Sequence, residues 1–218
     1  DEVRQGMQRL FGRSRDVEIL DSSKVGEVTG DVCIATAWPT AYYAMAVKAV
    51  RKRCYFILDF EPAFFPAGSE ALLAEHTYRL PMVPIPSSCW LATKLKPYYG
   101  CEMPWFPLAV DHSIYSPGLN DRTPDTVVFY LRETTPRRCA ELGLLALEIL
   151  ARRRPQLVVH CIGQPAVTRR LPFTAVQHGM MTPAQLAELY RRAKIGLVMS
   201  STNHSLVSIE MMACGLPV

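Results

Sequence analysis

Long apolar runs, paired cysteines, internal repeats and an excess of one charge are all missing from this chain of 218 residues. Nowhere do 18 apolar residues follow one another, so no segment has the length and polarity of a membrane-spanning helix. The N-terminal residues are acidic and polar, without the basic-then-apolar order of a signal peptide. Cysteine is present seven times, an odd number, and never as C-x-x-C. Most cysteines stand in apolar runs such as Val32-Cys33-Ile34 and His160-Cys161-Ile162. That placement argues against a disulfide frame or a zinc site, and for reduced core thiols in a cytoplasmic protein. No short-period repeat or low-complexity segment exists. The net charge is only +4 and spread out. This is too little for a nucleic-acid surface, but it suits a small anionic substrate.

What is present is a high apolar content, 49%, enough for one large core or two smaller ones. Residues 1–30 say least: Met7–Phe11 reads as a helix fragment and Val17–Leu20 as a short strand. Asp31–Trp38 is a clearer strand, ended by Pro39. Thr40–Val50 has helical spacing and closes on Lys48 and Arg51–Arg53, cations suited to a helix C-terminus. Cys54–Phe60 is a strand, Ala71–Arg79 a helix, Met82–Ile85 a strand, and Ser87–Tyr98 a helix capped by Ser87 or Ser88. Strands alternating with helices imply a parallel sheet covered on both faces.

The alternation breaks in W-F-P-L-A-V-D-H-S-I-Y-S-P-G-L-N-D-R, from Trp105 to Arg122, and then restarts. Thr126–Leu131, Leu157–Ile162, Phe173–Gln177 and Ile195–Met199 read as strands. Pro136–Arg152 reads as a long helix. Thr182-Pro183-Ala184-Gln185 is a capping box opening another helix, to about Arg192. Three parts result: residues 1–108, a linker 109–124, and 125–218. Each of the two large parts holds a doubly wound α/β half with too few strands to be complete, so the chain reads as a piece cut at both ends.

Two stretches carry the chemistry. In K-I-G-L-V-M-S-S-T-N-H-S-L-V-S-I-E-M-M-A-C-G-L-P-V, from Lys194 to Val218, a short strand is followed by a polar turn. A helix over Leu206–Cys214 comes next. That helix is apolar nearly all round and is expected to be buried, with Leu206, Ile209, Glu210 and Ala213 on one face. A carboxylate there needs a polar partner, either as an N-cap or ion-pair acid or as part of a site. The turn Ser200-Ser201-Thr202-Asn203 leads into a helix start, where free N–H groups favour an anion. In Y-L-R-E-T-T-P-R-R, Arg132 leaves a strand at its C-terminal end, where open α/β sheets bind ligands. Arg137 and Arg138 then fall in the first turn of the expected helix, an unfavourable place for cations unless an anion is close. The alternative is two solvated arginines beside Glu133 and Glu141. The pairs and triplets Arg152–Arg154, Arg169-Arg170 and Arg191-Arg192 read first as solvated helix ends and second as a contact with an anionic membrane face.

S-L-V-S-I-E-M-M-A-C-G-L-P-V after a strand and polar turn resembles the nucleotide-sugar signature of retaining GT-B glycosyltransferases of the family-four type, roughly E-G-F-G-L-x-x-x-E-A-M-A-x-G-x-P-V. Glu210 matches the second acid, which in that family holds the ribose, whereas Thr202 stands where the first acid would be. The polar turn is closer to the branch of rhamnosyltransferases that build surface polysaccharides. So are T-P-R-R and, in the first half, F-I-L-D-F-E-P-A-F-F-P-A-G-S-E. Ala109, Val110, Asp111, Tyr115 and Pro117 match the family's inter-domain G-V-D-x-x-x-F-x-P; Asp111 and His112 read as linker structure before site.

The resemblance implies a GT-B fold of two Rossmann-like halves. It also implies transfer of a sugar, with rhamnose from a thymidine diphosphate donor as the specific expectation, to a glycan acceptor with retention. Arg132 with Arg137 or Arg138 would clamp the diphosphate, and Thr202, Asn203, Ser205, Leu206 and Glu210 would line the donor site. The donor is a substrate, and neither a metal nor a resident cofactor is implied. Asp59 and Glu61 are acceptor-side candidates, on equal terms with a structural turn; the family's usual His-Asp is absent there. A non-catalytic nucleotide-sugar-binding subunit and a sugar-nucleotide epimerase are the rival readings. Peripheral contact with the inner membrane face goes with the transferase reading.

Overall fold

The computed structural model describes residues 18–118, 121–165 and 170–218. The expected helix fragment Met7–Phe11, Val17 and Arg169 lie outside these; Glu18–Leu20, expected as strand, have no regular structure. The described residues pack as two compact units. One holds the chain up to Pro62 together with Ala67–Trp105; the other holds Ala63–Pro66 and Phe106–Val218.

In the first unit a parallel sheet of order β1-β2-β3 is formed by β1 (Thr29–Ala35), β2 (Ala49–Ile57) and β3 (Val83–Pro86). Its helices are α1 (Trp38–Ala46), α2 (Ser69–His76) and α3 (Cys89–Tyr99). Pro39 opens α1 instead of ending a strand, since a first-turn proline loses no hydrogen bond. The basic run is also misplaced by local reading. Arg51–Arg53 belong to β2, because β2 pairs with β1 from Thr29↔Ala49 to Ala35↔Tyr55 and is drawn out as strand. The end of α1 still receives its cation, but from that strand: Arg53 donates to the Ala44 and Val47 carbonyls. Helix α3 is capped by Ser88, whose hydroxyl accepts from the Leu91 N–H at 3.1 Å, and it ends at Gly100 with φ +70°.

The second unit has a parallel sheet of order β6-β5-β4-β7. Its strands are β4 (Thr126–Tyr130), β5 (Val158–Ile162), β6 (Thr174–Gly179) and β7 (Ile195–Leu197). Helices α4 (Ala140–Arg153), α5 (Pro183–Arg192) and α6 (Ser205–Ala213) complete it. The capping box forms as the sequence predicts, with Gln185 N–H on the Thr182 hydroxyl and Thr182 N–H on the Gln185 side chain. Alternate residues of β4, continued by Leu131 just beyond it, enter different cores. Val127, Phe129 and Leu131 pack with α4, while Val128 packs with residues of α5 and α6. A central strand buried on both faces is what a doubly wound sheet requires. The order reverses between β4 and β7, so a crevice is expected beyond their C-terminal ends.

Helix α4 lies close on β4 because Gly143 has no side chain. A β-carbon there would come within 2.4 Å of Cζ of the fully buried Phe129 ring. Gly143→Ala gains about 1 kcal/mol of helix propensity but overpacks a stiff core by about 1–3 kcal/mol. A lower urea midpoint is therefore expected; a higher one would show that the helix can move off the strand.

Candidate functional site

The long helix expected from Pro136 does not form as one piece. Pro136–Arg138 make a 3-10 turn, Cys139 takes a left-handed conformation (φ +46°), and α4 begins at Ala140. Arg137 and Arg138 consequently stand outside the first turn of an α-helix. The turn is fixed instead by the neighbouring loop. Ser201 donates through its N–H (2.8 Å) and its hydroxyl (3.3 Å) to the Arg137 carbonyl. Arg138 is only 8% exposed. Its guanidinium donates to the Ser200 hydroxyl at 3.2 Å and the Asn203 carbonyl at 3.3 Å, and lies over the Tyr130 ring. Thus the loops following β4 and β7 meet at the switch point of the sheet, with Arg138 as the strut between them.

Helix α6 also starts on a left-handed residue, Ser205, with φ +68°. This position aligns with the second glycine of the resembled signature. A left-handed non-glycine residue costs about 1–2 kcal/mol, and the surroundings hold it in place. Its N–H donates to the Asn203 side chain at 3.0 Å, and Ser208 donates to the His204 and Ser205 carbonyls. Strain of this kind gathers at binding sites.

The buried side of α6 corrects the expected one. Ser205, Ser208, Met211 and Cys214 are interior, while Leu206 and Met212 are 38% and 55% exposed. Two small serines that satisfy their hydroxyls on the helix itself allow close packing. Met211 seats over Gly196, where a β-carbon would come within 2.5 Å of its sulfur.

Glu210 is half-buried, and burial raises its pKa; a hydrogen bond from Tyr115 opposes that rise. Tyr115 is itself pushed up to about 12, by burial first and the Glu210 charge second. It stacks on Tyr190 with ring centres 6.2 Å apart. Arg132 is half-exposed beyond the end of β4. Arg137 stacks its guanidinium 3.8 Å from the centre of the Phe64 ring, part of the Ala63–Pro66 segment of the same unit. Thr202 and Asn203 are half-exposed in the turn.

Asp59 and Glu61 are both 4% exposed in the first unit. Asp59 accepts from the Phe60 N–H at 2.8 Å. Glu61 accepts from the Trp38 N–H at 2.5 Å and the Tyr55 hydroxyl at 3.1 Å. Its carboxylate therefore caps α1, whose own N-cap residue is Ala37. An alanine at that place is the one sequence signal that the cap must come from elsewhere.

Asp111 forms a turn, accepting from the N–H and hydroxyl of Ser113. Arg191 is not a solvated helix end: it donates to the Ile114 and Ser116 carbonyls, at 2.7 and 2.8 Å, and ties that segment to α5.

Sequence reading missed a histidine pair. His160 on β5 and His178 on β6 hydrogen-bond Nδ1 to Nε2 at 2.8 Å with nearly parallel rings. They border a cavity of about 640 Å³ that is also lined by Thr126, Glu188 and Arg192. Burial lowers both pKa values, and for His160 the neighbours His178 and Arg192 add to this. A base whose folded pKa is depressed binds more protons unfolded. Its contribution to stability is thus complete well above pH 6.5 and is lost as pH falls below it. Thermal melts between about pH 7.5 and about pH 5 should fall more steeply for the native chain than for His178→Gln. Equal slopes would overturn the assignment.

Among the described residues no group of three or more His, Cys, Asp or Glu is placed to hold a metal ion. Among them, too, no helix is long and apolar enough to cross a membrane.

Comparison with known proteins bears on this arrangement. Residues 21–87 match the family model "WsaF, N-terminal domain" and residues 125–218 match "WsaF, C-terminal domain". The O-antigen biosynthesis protein RfbC of Myxococcus xanthus is 34% identical over 218 residues, covering 98% of this chain and 16% of that protein. The chain thus spans about a sixth of that relative's length. Two solved structures of TarM share the fold. A mutant of S. aureus TarM in complex with Fondaparinux, alpha-GlcNAc-glycerol and UDP superposes with a TM-score of 0.71 at 13% identity. A second TarM structure gives 0.69 at 14%, and each alignment covers 90% of this chain and 43% of the other. With two parallel α/β sheets, one of them wound about a switch point, the chain has the GT-B fold that TarM displays.

Proposed function

We propose that the protein is the sugar-transferring part of a retaining glycosyltransferase that builds a surface polysaccharide. A nucleoside-diphosphate sugar would be its donor and a glycan its acceptor. One observation carries the reading: at the switch point, the arginine-bearing loop after β4 is bonded directly to the turn that opens α6. An anion held there meets cations from one loop and the positive end of the α6 dipole from the other. The name of the Myxococcus relative and the UDP and sugar ligands of the TarM complex support the same chemistry.

In this mechanism Arg132 and Arg137 receive the diphosphate as it gains charge, with the positive end of the α6 dipole facing the same place. Arg138 holds the two loops in register. Fixed charges and dipoles of this kind lower the barrier without needing to reorganise. Glu210 holds the ribose hydroxyls, its charge kept by the Tyr115 hydrogen bond against the cost of burial. The departing phosphate takes the acceptor proton on the face it leaves, which retains the anomeric configuration. Thr202 in place of an acid gives the sugar fewer charged partners, which fits a deoxy sugar. Rhamnose from dTDP-rhamnose is the donor we favour, and the cytoplasm, at the inner membrane face, the location.

Titration calorimetry with thymidine and uridine diphosphates tests the site on this chain. Weak binding of one of them is expected. Arg132→Ala should weaken it about 10–100-fold, the worth of a charged hydrogen bond. Affinity unchanged in that variant would remove the anion site. A non-catalytic binding subunit predicts the same affinities but no transfer by the full-length protein. An epimerase predicts interconversion of the free sugar nucleotide without an acceptor.

A further inference from the structure

We propose that Gln164, in the turn after β5, positions Arg132 in the anion site; the proposal rests on the function proposed above. Gln164 commits both ends of its amide to the residue that follows Arg132. Its oxygen accepts the Glu133 N–H at 2.7 Å, and its nitrogen donates to the Glu133 carboxylate at 2.9 Å. The pairing also fixes which way the amide faces, because only one orientation satisfies both bonds.

Gly163, just before it, has φ +98°. A β-carbon there would lie 2.4 Å from the Tyr130 ring and 3.4 Å from Cδ of Arg132. The aliphatic stem of Arg132 thus rests beside bare backbone, next to the residue that clamps Glu133. Further bonds complete the frame around Arg132. Leu131 N–H donates to the Ile162 carbonyl at 2.9 Å, and the Arg132 carbonyl accepts from Thr135 N–H at 3.1 Å. Arg132 is therefore bracketed by two ties to the β5 end, and the second is made entirely by Gln164. A long, half-exposed arginine would otherwise lose much of its pre-organisation, since freezing its rotamers is costly. The loop after β5 is thereby a working part of the site, although it supplies no charge.

The test is a double-mutant cycle on this chain, using whichever of thymidine and uridine diphosphate it binds and the matching free nucleoside as phosphate-free probe. Gln164→Ala should weaken the diphosphate about tenfold and leave the nucleoside unaffected. In an Arg132→Ala background the same substitution should add nothing. An equal loss in both backgrounds, no loss in either, or an equal loss for the nucleoside overturns the positioning role while the proposed site stands. If Arg132→Ala itself changes nothing, the anion site fails and this inference with it. Should Gln164→Ala not fold, Gln164→Glu takes its place. It keeps an acceptor for the Glu133 N–H but sets carboxylate against carboxylate. Its diphosphate affinity relative to the native chain should then recover as pH is lowered from about 8 to about 5. A flat ratio overturns the proposal.

Discussion

Glu61→Ala is expected to cost the first unit about 2–5 kcal/mol, enough to threaten folding of a marginally stable domain. The reason is that one of its partners is fully buried and the other partly so. The Trp38 N–H at the start of α1 and the Tyr55 hydroxyl both donate to this carboxylate, and Tyr55 is fully buried. Removing the acceptor deprives a part-buried N–H and a fully buried hydroxyl of it, each costing up to about 1–3 kcal/mol. Glu61→Gln keeps an acceptor oxygen for Trp38 and should cost clearly less. Urea denaturation of the three proteins is the measurement. A native midpoint for the alanine variant would free Glu61 from its capping role and return it to the acceptor side. If it is lowered as expected, loss of transfer in Glu61 variants of the full-length protein would reflect structure, and Asp59 would remain the acceptor-side acid to test.

The second large effect is expected at Arg138. Arg138→Met removes two bonds to the turn after β7, one to the Ser200 hydroxyl and one to the Asn203 carbonyl, and with them the stacking over Tyr130 at the end of β4. Hydrogen bonds from a charged donor contribute about 1.5–3 kcal/mol each before compensation. A stability loss of about 2–4 kcal/mol is therefore expected, with diphosphate affinity falling at least as far as in Arg132→Ala. Arg137→Ala should separate the two quantities: affinity falls, while stability loses only the stacking on Phe64, about 0.5–2 kcal/mol. Both bonds leave from one guanidinium nitrogen, Nη1, so Arg138→Lys should recover part of the loss through its three ammonium donors, but not the planar stacking over Tyr130. Calorimetry paired with denaturation decides. Arg138→Met with native stability would mean that the turn holds itself.

Both effects depend on pairs that are distant in sequence. Glu61 meets Trp38 across 23 residues, Arg138 meets Ser200 across 62, and Arg191 meets Ser116 across 75. Local reading handles what is local. The apolar runs of β4, β5 and β7, the Thr182–Gln185 capping box and the Ser88 cap all follow from neighbouring residues. It fails where a tertiary partner overrides propensity. Val47–Arg53 looks like a helix end until β1 draws Ala49–Ile57 into the sheet. Pro136–Arg152 looks like one helix until the Ser200–Asn203 turn captures Arg137 and Arg138 and breaks it at Cys139.

The amino-acid sequence by itself determined the α/β alternation, its restart after residue 122, and the residue types able to hold an anion. Periodicity, caps and charge are all properties of neighbours along the chain. Only the tertiary structure decided which arginine is a strut and which faces outward, that Glu61 caps a helix, and that Gln164 and the histidine pair exist as units. Those roles depend on which groups lose their water and which partner replaces it, and burial is set by the whole sheet at once.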